Sequence, residues 1–244
     1  PQKGRQRQFH QIGVETFGVG TPDQDIELIA LCWQLWKRLG ICHGLKLEIN
    51  SLGSTSDREN FKVALLNYLH AHRACLDLDS QRRLEINPLR ILDSKSPDTQ
   101  RVLDDAPNLV DYLGEDSRQD FDTLKRYLKM LNIPFVVNRR LVRGLDYYNK
   151  LVFEWTTDKL GAQGTICGGG RYDGLVSAFG GKDVPAAGFA IGLERLILLM
   201  QEMQVDVATA VDFYVVVASH SAYQYALSMI EAIREEFPSL VVIQ

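Results

Sequence analysis

The feature that most constrains this chain is a break in its texture. Between Ser54 and Pro134 no segment alternates as a strand would, whereas the flanks on both sides do. Inside the block, Phe61, Ala64, Leu65, Tyr68 and Leu69 recur at helical spacing. Ser56 precedes them as a predicted N-cap, with Glu59 three positions on. Ser117 is predicted to open a further helix carrying Phe121, Leu124, Leu128 and Leu131 on one stripe, and Pro88, Pro97 and Pro107 punctuate the stretch between. A helical block set between strand-rich flanks reads as an insertion, 54–134, into an α+β fold.

The flanks supply the sheet. Phe9–Phe17 alternates, with Phe9, Gln11, Gly13, Glu15 and Phe17 on one face and His10, Ile12, Val14 and Thr16 on the other. Thr21-Pro22-Asp23-Gln24 reads as a helix start with a capping box, and Gly40 as the C-cap. Leu45, Leu47 and Ile49 mark a second strand. Beyond the insertion, strands are predicted at Phe135–Asn138, Leu151–Trp155, Thr165–Cys167 and 188–192, the last leading into an apolar helix at Leu193–Met200. A separate α/β unit then begins, with a strand at Phe213–Ala218, a helix near Ala222–Glu236 and a strand at Leu240–Ile243.

Composition excludes several classes. At 244 residues, 45% hydrophobic and 24% charged, the chain is neither a disordered nor a collagen-like sequence. Its 27 Lys and Arg against 31 Asp and Glu leave a net charge of −4, so contact with nucleic acid needs a local basic patch. No apolar run approaches the roughly 20 residues of a bilayer-spanning helix. The first residues have no hydrophobic signal core and no Met. Four cysteines stand without CxxC or CxxH spacing, which argues against a zinc site or disulfide framework and fits a reducing cytoplasm.

Chemistry concentrates in four clusters. Gln11 and Glu15 flank Gly13 on one strand face, a carboxylate and an amide over a gap without a side chain. With Phe9 and Phe17 beside them, that face is predicted to be partly covered, and a covered carboxylate must be paired. Leu141-Val142-Arg143-Gly144-Leu145-Asp146-Tyr147-Tyr148 packs a cation, a carboxylate and two phenols into one short stretch. Gly168-Gly169-Gly170-Arg171-Tyr172-Asp173-Gly174 places three glycines after a predicted strand, where positive φ or close backbone approach is affordable. Its spacing does not fit the dinucleotide fingerprint. In Gly188-Phe189-Ala190-Ile191-Gly192-Leu193-Glu194-Arg195, Arg195 emerges in the first helical turn. Its planar fork suits phosphate oxygens, or it pairs with Glu194 or Glu202. Lys3, Arg5 and Arg7 precede the first acid, Glu15, and form either a phosphate-contacting arm or a solvated terminus.

Taken in order, these clusters resemble the bacterial type of histidyl-tRNA synthetase, a class II aminoacyl-tRNA synthetase. Gly4–Glu15 resembles the loop and second strand of class II motif 2. Leu141–Tyr148 and Gly168–Leu175 resemble the two histidine-specific signatures, and Gly188–Leu196 resembles motif 3. The resemblance implies a six-stranded antiparallel sheet flanked by helices, at 1–53 and 135–205. It also implies the helical insertion at 54–134 and the start of an α/β anticodon-binding domain at 211–244. It implies activation of L-histidine by ATP with Mg2+ as a substrate complex, transfer to tRNA(His), and a homodimer in the full-length protein. No resident metal or tightly bound cofactor, and no membrane, is expected.

Residue by residue, the resemblance places Gln11, Glu15, Arg143, Tyr147, Tyr148 and Tyr172 around histidine. Glu15 and Tyr148 take the imidazole, Gln11 the amino-acid end, and Tyr147 and Tyr172 close the pocket. Arg143 is the catalytic residue, near the carboxylate and α-phosphate. Arg195 holds the γ-phosphate, Arg5 approaches ATP, and Arg5 with Arg7 the tRNA acceptor end. The chain is expected to begin inside motif 2, without the dimer-forming motif 1 or the first motif 2 strand. These 244 residues alone are therefore expected to be impaired. The alternative is a synthetase paralogue that has lost catalysis and serves as a regulatory or tRNA-sensing module.

Overall fold

The computed structural model describes residues 7–145, 147–161, 164–206 and 211–243. They fall into two compact units, 1–205 and 206–244. In the first, strands β1 (Gln11–Phe17), β2 (Lys46–Ser51), β3 (Phe135–Val137), β4 (Asn149–Thr156), β5 (Thr165–Arg171) and β6 (Ala186–Gly192) form one sheet in the order β1-β6-β5-β4-β2-β3. All neighbours are antiparallel except β2 and β3. A parallel pair needs a long crossover, and the helical stretch between these strands supplies it. The expected six-stranded antiparallel sheet is present, with one parallel pair at its edge.

One face of the sheet is covered by α1 (Pro22–Arg38), α5 (Glu115–Met130) and α7 (Leu193–Glu202). Ile29, Cys32 and Trp36 of α1 meet Leu124 and Leu128 of α5 and Phe153, Trp155 and Phe189 of the sheet in one buried cluster. Trp33 stacks on Trp155 with ring centres 5.8 Å apart. Thr21 and Pro22 start α1 as predicted, and Gly40 follows its end with φ +71°, which a side chain would resist. The Thr21 hydroxyl makes no cap bond, so the predicted capping box with Gln24 does not form. Arg171, 0% exposed on this face, grips Asp25 of α1 with Nη2 at 2.7 Å and Nε at 3.1 Å. It also donates to the carbonyls of Val19 and Thr21. The sheet is thereby locked to the start of its covering helix.

The stretch between β2 and β3 carries α2 (Thr55–Ala71), α3 (Leu78–Arg83), α4 (Pro97–Asp104) and α5. Phe61, Leu65 and Leu69 of α2 form a second core with Leu84, Ile91 and Leu103, joined by Tyr148, Val152 and Tyr172 from the sheet side. The cap of α2 is Ser54, two residues before the predicted one. Its extended backbone lets the hydroxyl accept from Asp57 N, while the Asp57 carboxylate accepts from Ser54 N. That same carboxylate also accepts from the Ser117 hydroxyl at 2.6 Å and from Gly114 N. Ser117 therefore sits inside α5 and ties it to α2, rather than opening α5 as predicted.

The three glycines are not a turn after a strand. Gly168, Gly169 and Gly170 lie within β5, and none has positive φ. A short helix, α6 (Leu175–Ala178), follows. In the second unit, β7 (Phe213–Tyr214) pairs in parallel with β8 (Val242–Ile243), and α8 (Tyr223–Glu236) connects them. β7 is shorter than the predicted Phe213–Ala218, and Val216 is exposed. No helix among the described residues is long and apolar enough to cross a membrane.

Candidate active site

The open face of the sheet has a floor of small residues. Register pairs Gln11 with Gly192, Gly13 with Ala190 and Glu15 with Gly188 across β1 and β6. Across β6 and β5 it pairs Ala190 with Gly168 and Gly188 with Gly170. Strand alternation turns Cys167, Phe189 and Ile191 to the helical core and leaves glycine and alanine on this side. Side chains from elsewhere occupy the space so freed. A Cβ on Gly168 would meet the Arg143 guanidinium at 2.6 Å, one on Gly170 would meet the Tyr148 ring at 3.0 Å, and one on Gly188 would overlap the Glu15 carboxylate. The glycines are there for what they lack.

Glu15 and Tyr148 consequently stand over residues paired across neighbouring strands, on one face. β1 is the sheet edge, so Phe9 and Phe17 are 57% and 59% exposed, and the predicted cover over this face does not form. Glu15 is itself exposed along the strand, yet its carboxylate end rests on Gly188, and that desolvation raises its pKa. Burial pushes the Tyr148 phenol up to about 12, so it remains a neutral hydroxyl. Tyr147, Tyr148 and Tyr172 form an aromatic trio with ring centres 4.7, 5.6 and 6.0 Å apart.

Arg143 stands beside Tyr148, over Gly168. Its guanidinium lies 5.8 Å from the Tyr148 ring centre and pairs through Nη1 with Glu154 of β4, while its buried Nε has no partner. Glu154 is oriented in turn by the Thr165 hydroxyl at 2.9 Å. Sequence reasoning passed over Glu154. Its signal was a lone carboxylate inside the apolar run Leu151–Trp155, two residues from Val152 and hence on the same face.

A cleft of about 450 Å³ opens beside this group, lined among others by Phe9, Gln11, Arg143, Gly168, Ala190 and Arg195. Arg195, in the first turn of α7, donates from Nη1 to the Thr165 carbonyl at 2.8 Å. Of the two predicted alternative partners, Glu194 and Glu202, Glu194 is engaged by His10. It accepts from the His10 backbone N at 2.9 and 3.0 Å, its Oε1 lies 2.7 Å from His10 Nδ1, and these hydrogen bonds lower its pKa. Gln11, Arg143 and Arg195 thus share one cleft, with Glu15, Tyr147, Tyr148 and Tyr172 on the same side of the sheet. Arg7 is exposed at the start of the described chain. Arg5 lies outside the described residues, as do Lys3 and Asp146.

Glycine and alanine on β5 and β6 thus leave a floor over which arginines and tyrosines converge. Residues 1–196 match the family model described as histidyl-tRNA synthetase. The apo histidyl-tRNA synthetase of S. aureus is 32% identical and superposes with a TM-score of 0.70, over 97% of this chain and 58% of that one. The chain belongs to the histidyl-tRNA synthetase family. The histidyl-tRNA synthetase of a Nostoc species has the same fold at 20% identity, with a TM-score of 0.61 over 98% of this chain and 61% of that one. So does a Bacillus halodurans protein described as an ATP phosphoribosyltransferase regulatory subunit/histidyl-tRNA synthetase, at 23% identity and a TM-score of 0.55, over 97% and 62%. The chain therefore spans about three fifths of the length of these relatives.

Proposed function

We propose that the chain is the catalytic-core portion of a histidine–tRNA ligase, which activates L-histidine with ATP and Mg2+ and passes it to tRNA(His). The observation that carries the reading is the convergence of Glu15, Tyr148, Arg143 and Arg195 on one face of the sheet. In the activating step a histidine carboxylate oxygen bonds to the α-phosphorus, and the bond to the departing pyrophosphate breaks. Both reactants are anionic, so fixed cations matter more than a proton carrier. Arg143 sits where the carboxylate and α-phosphate meet, and Arg195 takes the far phosphate. A preorganised donor in such a site contributes about 3–4 kcal/mol to the transition state.

Histidine is selected by its ring. Glu15 and Tyr148 offer an acceptor and a hydroxyl to the two imidazole nitrogens, and Gln11 holds the amino-acid end. Tyr147 and Tyr172 wall the pocket. A ligand that leaves such groups unpaired loses on the order of 10⁴ in rate. Arg5 and Arg7 approach ATP and the tRNA acceptor end from the segment before β1. The same reading divides unit 1–205 into core segments 1–53 and 135–205 and a helical insertion, 54–134. It makes 211–244 the start of an anticodon-binding domain, which its separate packing supports. The full-length protein is a cytoplasmic homodimer.

Isothermal titration of histidine and a non-hydrolysable histidyl-adenylate analogue tests this on the 244-residue chain and on a longer form of the protein. Tight binding of the analogue by the longer form, abolished by Arg143→Ala with the fold intact, is expected. Binding by neither form favours the regulatory or tRNA-sensing module. Wild-type histidine-dependent pyrophosphate exchange by Arg143→Ala would refute the role of that residue.

A further inference from the structure

Residues 138–148, which carry Arg143 and Tyr148, include no helix or strand among the described positions. Side chains from three separate elements hold this loop by its carbonyls. Asn50 Nδ2, on β2, donates to Leu141 O at 3.0 Å. Arg58 Nη1, in the first turn of α2, donates to Tyr148 O at 2.6 Å. Arg90 Nη2, in the turn that follows α3, donates to Gly144 O. The two arginines belong to the helical stretch between β2 and β3, and neither lines the cleft between β1, β5 and α7.

Packing holds only the ends of the loop, where Leu141 and Tyr148 are buried in the second core. Between its middle residues and α2 with the turn after α3 lies a cavity of about 300 Å³, lined by Arg58, Arg90, Val142, Arg143 and Leu145 among others. Where side chains leave a gap, hydrogen bonds must fix the backbone, and bonds from a cationic donor are the stronger kind. Arg58 grips the carbonyl of Tyr148 itself, and Arg90 grips that of Gly144, next to Arg143.

We propose that Arg58 and Arg90 are positioning residues: the helical stretch holds the loop by its carbonyls so that Arg143 faces the cleft and Tyr148 lies over Gly170 beside it. The inference rests on the ligase reading for its consequence in turnover, though not for the grip itself. Misplacing a reacting group by about 1 Å costs on the order of 100-fold in rate.

The test uses the full-length protein with Arg58→Met and Arg90→Met, which keep an apolar stem and remove the donors, and with Arg58→Lys and Arg90→Lys, which keep one. Expected for the Met variants is a fall in kcat for histidine-dependent pyrophosphate exchange on the order of 10- to 100-fold. The KM for ATP and the thermal midpoint stay unchanged, and the Lys variants recover part of the rate. The backbone amides of 141–145 and 147–148 exchange faster with deuterium in the Met variants. Wild-type turnover by the Met variants, Lys variants as slow as Met variants, or unchanged amide protection each overturns the proposal. Should the wild type itself fail to exchange pyrophosphate, the ligase reading falls. Amide protection then decides the grip alone: faster exchange supports it and unchanged exchange overturns it.

Discussion

A single methyl group added at Gly168 separates the site from the fold. The new Cβ would lie 2.6 Å from Arg143 Nη1, 2.8 Å from Nη2 and 2.9 Å from Cζ, against the roughly 3.5 Å of a relaxed contact. All three nearest atoms belong to the far end of one flexible side chain, so the guanidinium moves by about 1 Å and the strand does not. A displacement of that size from a reacting centre costs on the order of 10²-fold in rate. Meanwhile a strand interior gains about 0.5–1 kcal/mol when glycine becomes alanine. Gly168→Ala in the full-length protein is therefore expected to lose about 10²-fold in histidine-dependent pyrophosphate exchange, with its thermal midpoint unchanged or raised by about 2 °C. Gly169→Ala is the contrast. Its methyl overlaps the Gly188 carbonyl, which is backbone, and the variant should unfold early. The Gly168→Ala, Arg143→Ala double variant should be no slower than Arg143→Ala alone, because both act on one group. Near-wild-type exchange by Gly168→Ala, or a midpoint as low as that of Gly169→Ala, would refute the reasoning.

Three further outcomes follow from the same geometry. Asp25→Ala strands the buried Arg171 guanidinium without its main carboxylate and should cost about 3–5 kcal/mol in urea denaturation. Asp77 caps α3 and accepts from the hydroxyls of Ser80 and Thr99, which hold its carboxyl well below the usual carboxylate range. Because its folded pKa lies below the unfolded value, its contribution is present above about pH 4 and is lost as pH falls further. Wild type should accordingly exceed Asp77→Ala by about 1 kcal/mol at neutral pH, and thermal midpoints should converge in acid. Tyr148→Phe should weaken histidine binding by about 1–2 kcal/mol in calorimetry. With the phenol at about 12, wild-type binding should show no break from this group between pH 7 and 10.

Much of this was legible in the residues, for physical reasons that differ between elements. Period-two patterning placed Gln11 and Glu15 on one face, and helical spacing found α1, α2 and α5. Local rules failed where a tertiary partner decided. Ser54 outranks Ser56 as cap because Asp57 closes its box and also reaches Gly114 and Ser117, which no local pattern encodes. The glycines of β5 look like a turn in isolation, and only Arg143 and Tyr148 arriving from another segment make them a floor. The exposure of Phe9 and Phe17 depends on β1 being an edge, which is a property of strand order and not of any one strand. Glu154, Arg58 and Arg90 were passed over because each acts through a residue distant in sequence.

Strand order carries a consequence for biosynthesis. Among the described residues β1 pairs with β6 alone, and the register joins Phe17 to Ala186, 169 positions further along the chain. Those intervening residues must be translated before that pairing is available, and at about 5–20 residues per second this takes at least eight seconds or so. Throughout that interval Ile12 and Phe17, exposed even in the finished sheet, stand on a strand that lacks this partner. The nascent chain should thus be most prone to clumping, and most dependent on chaperones, until Gly192 has emerged.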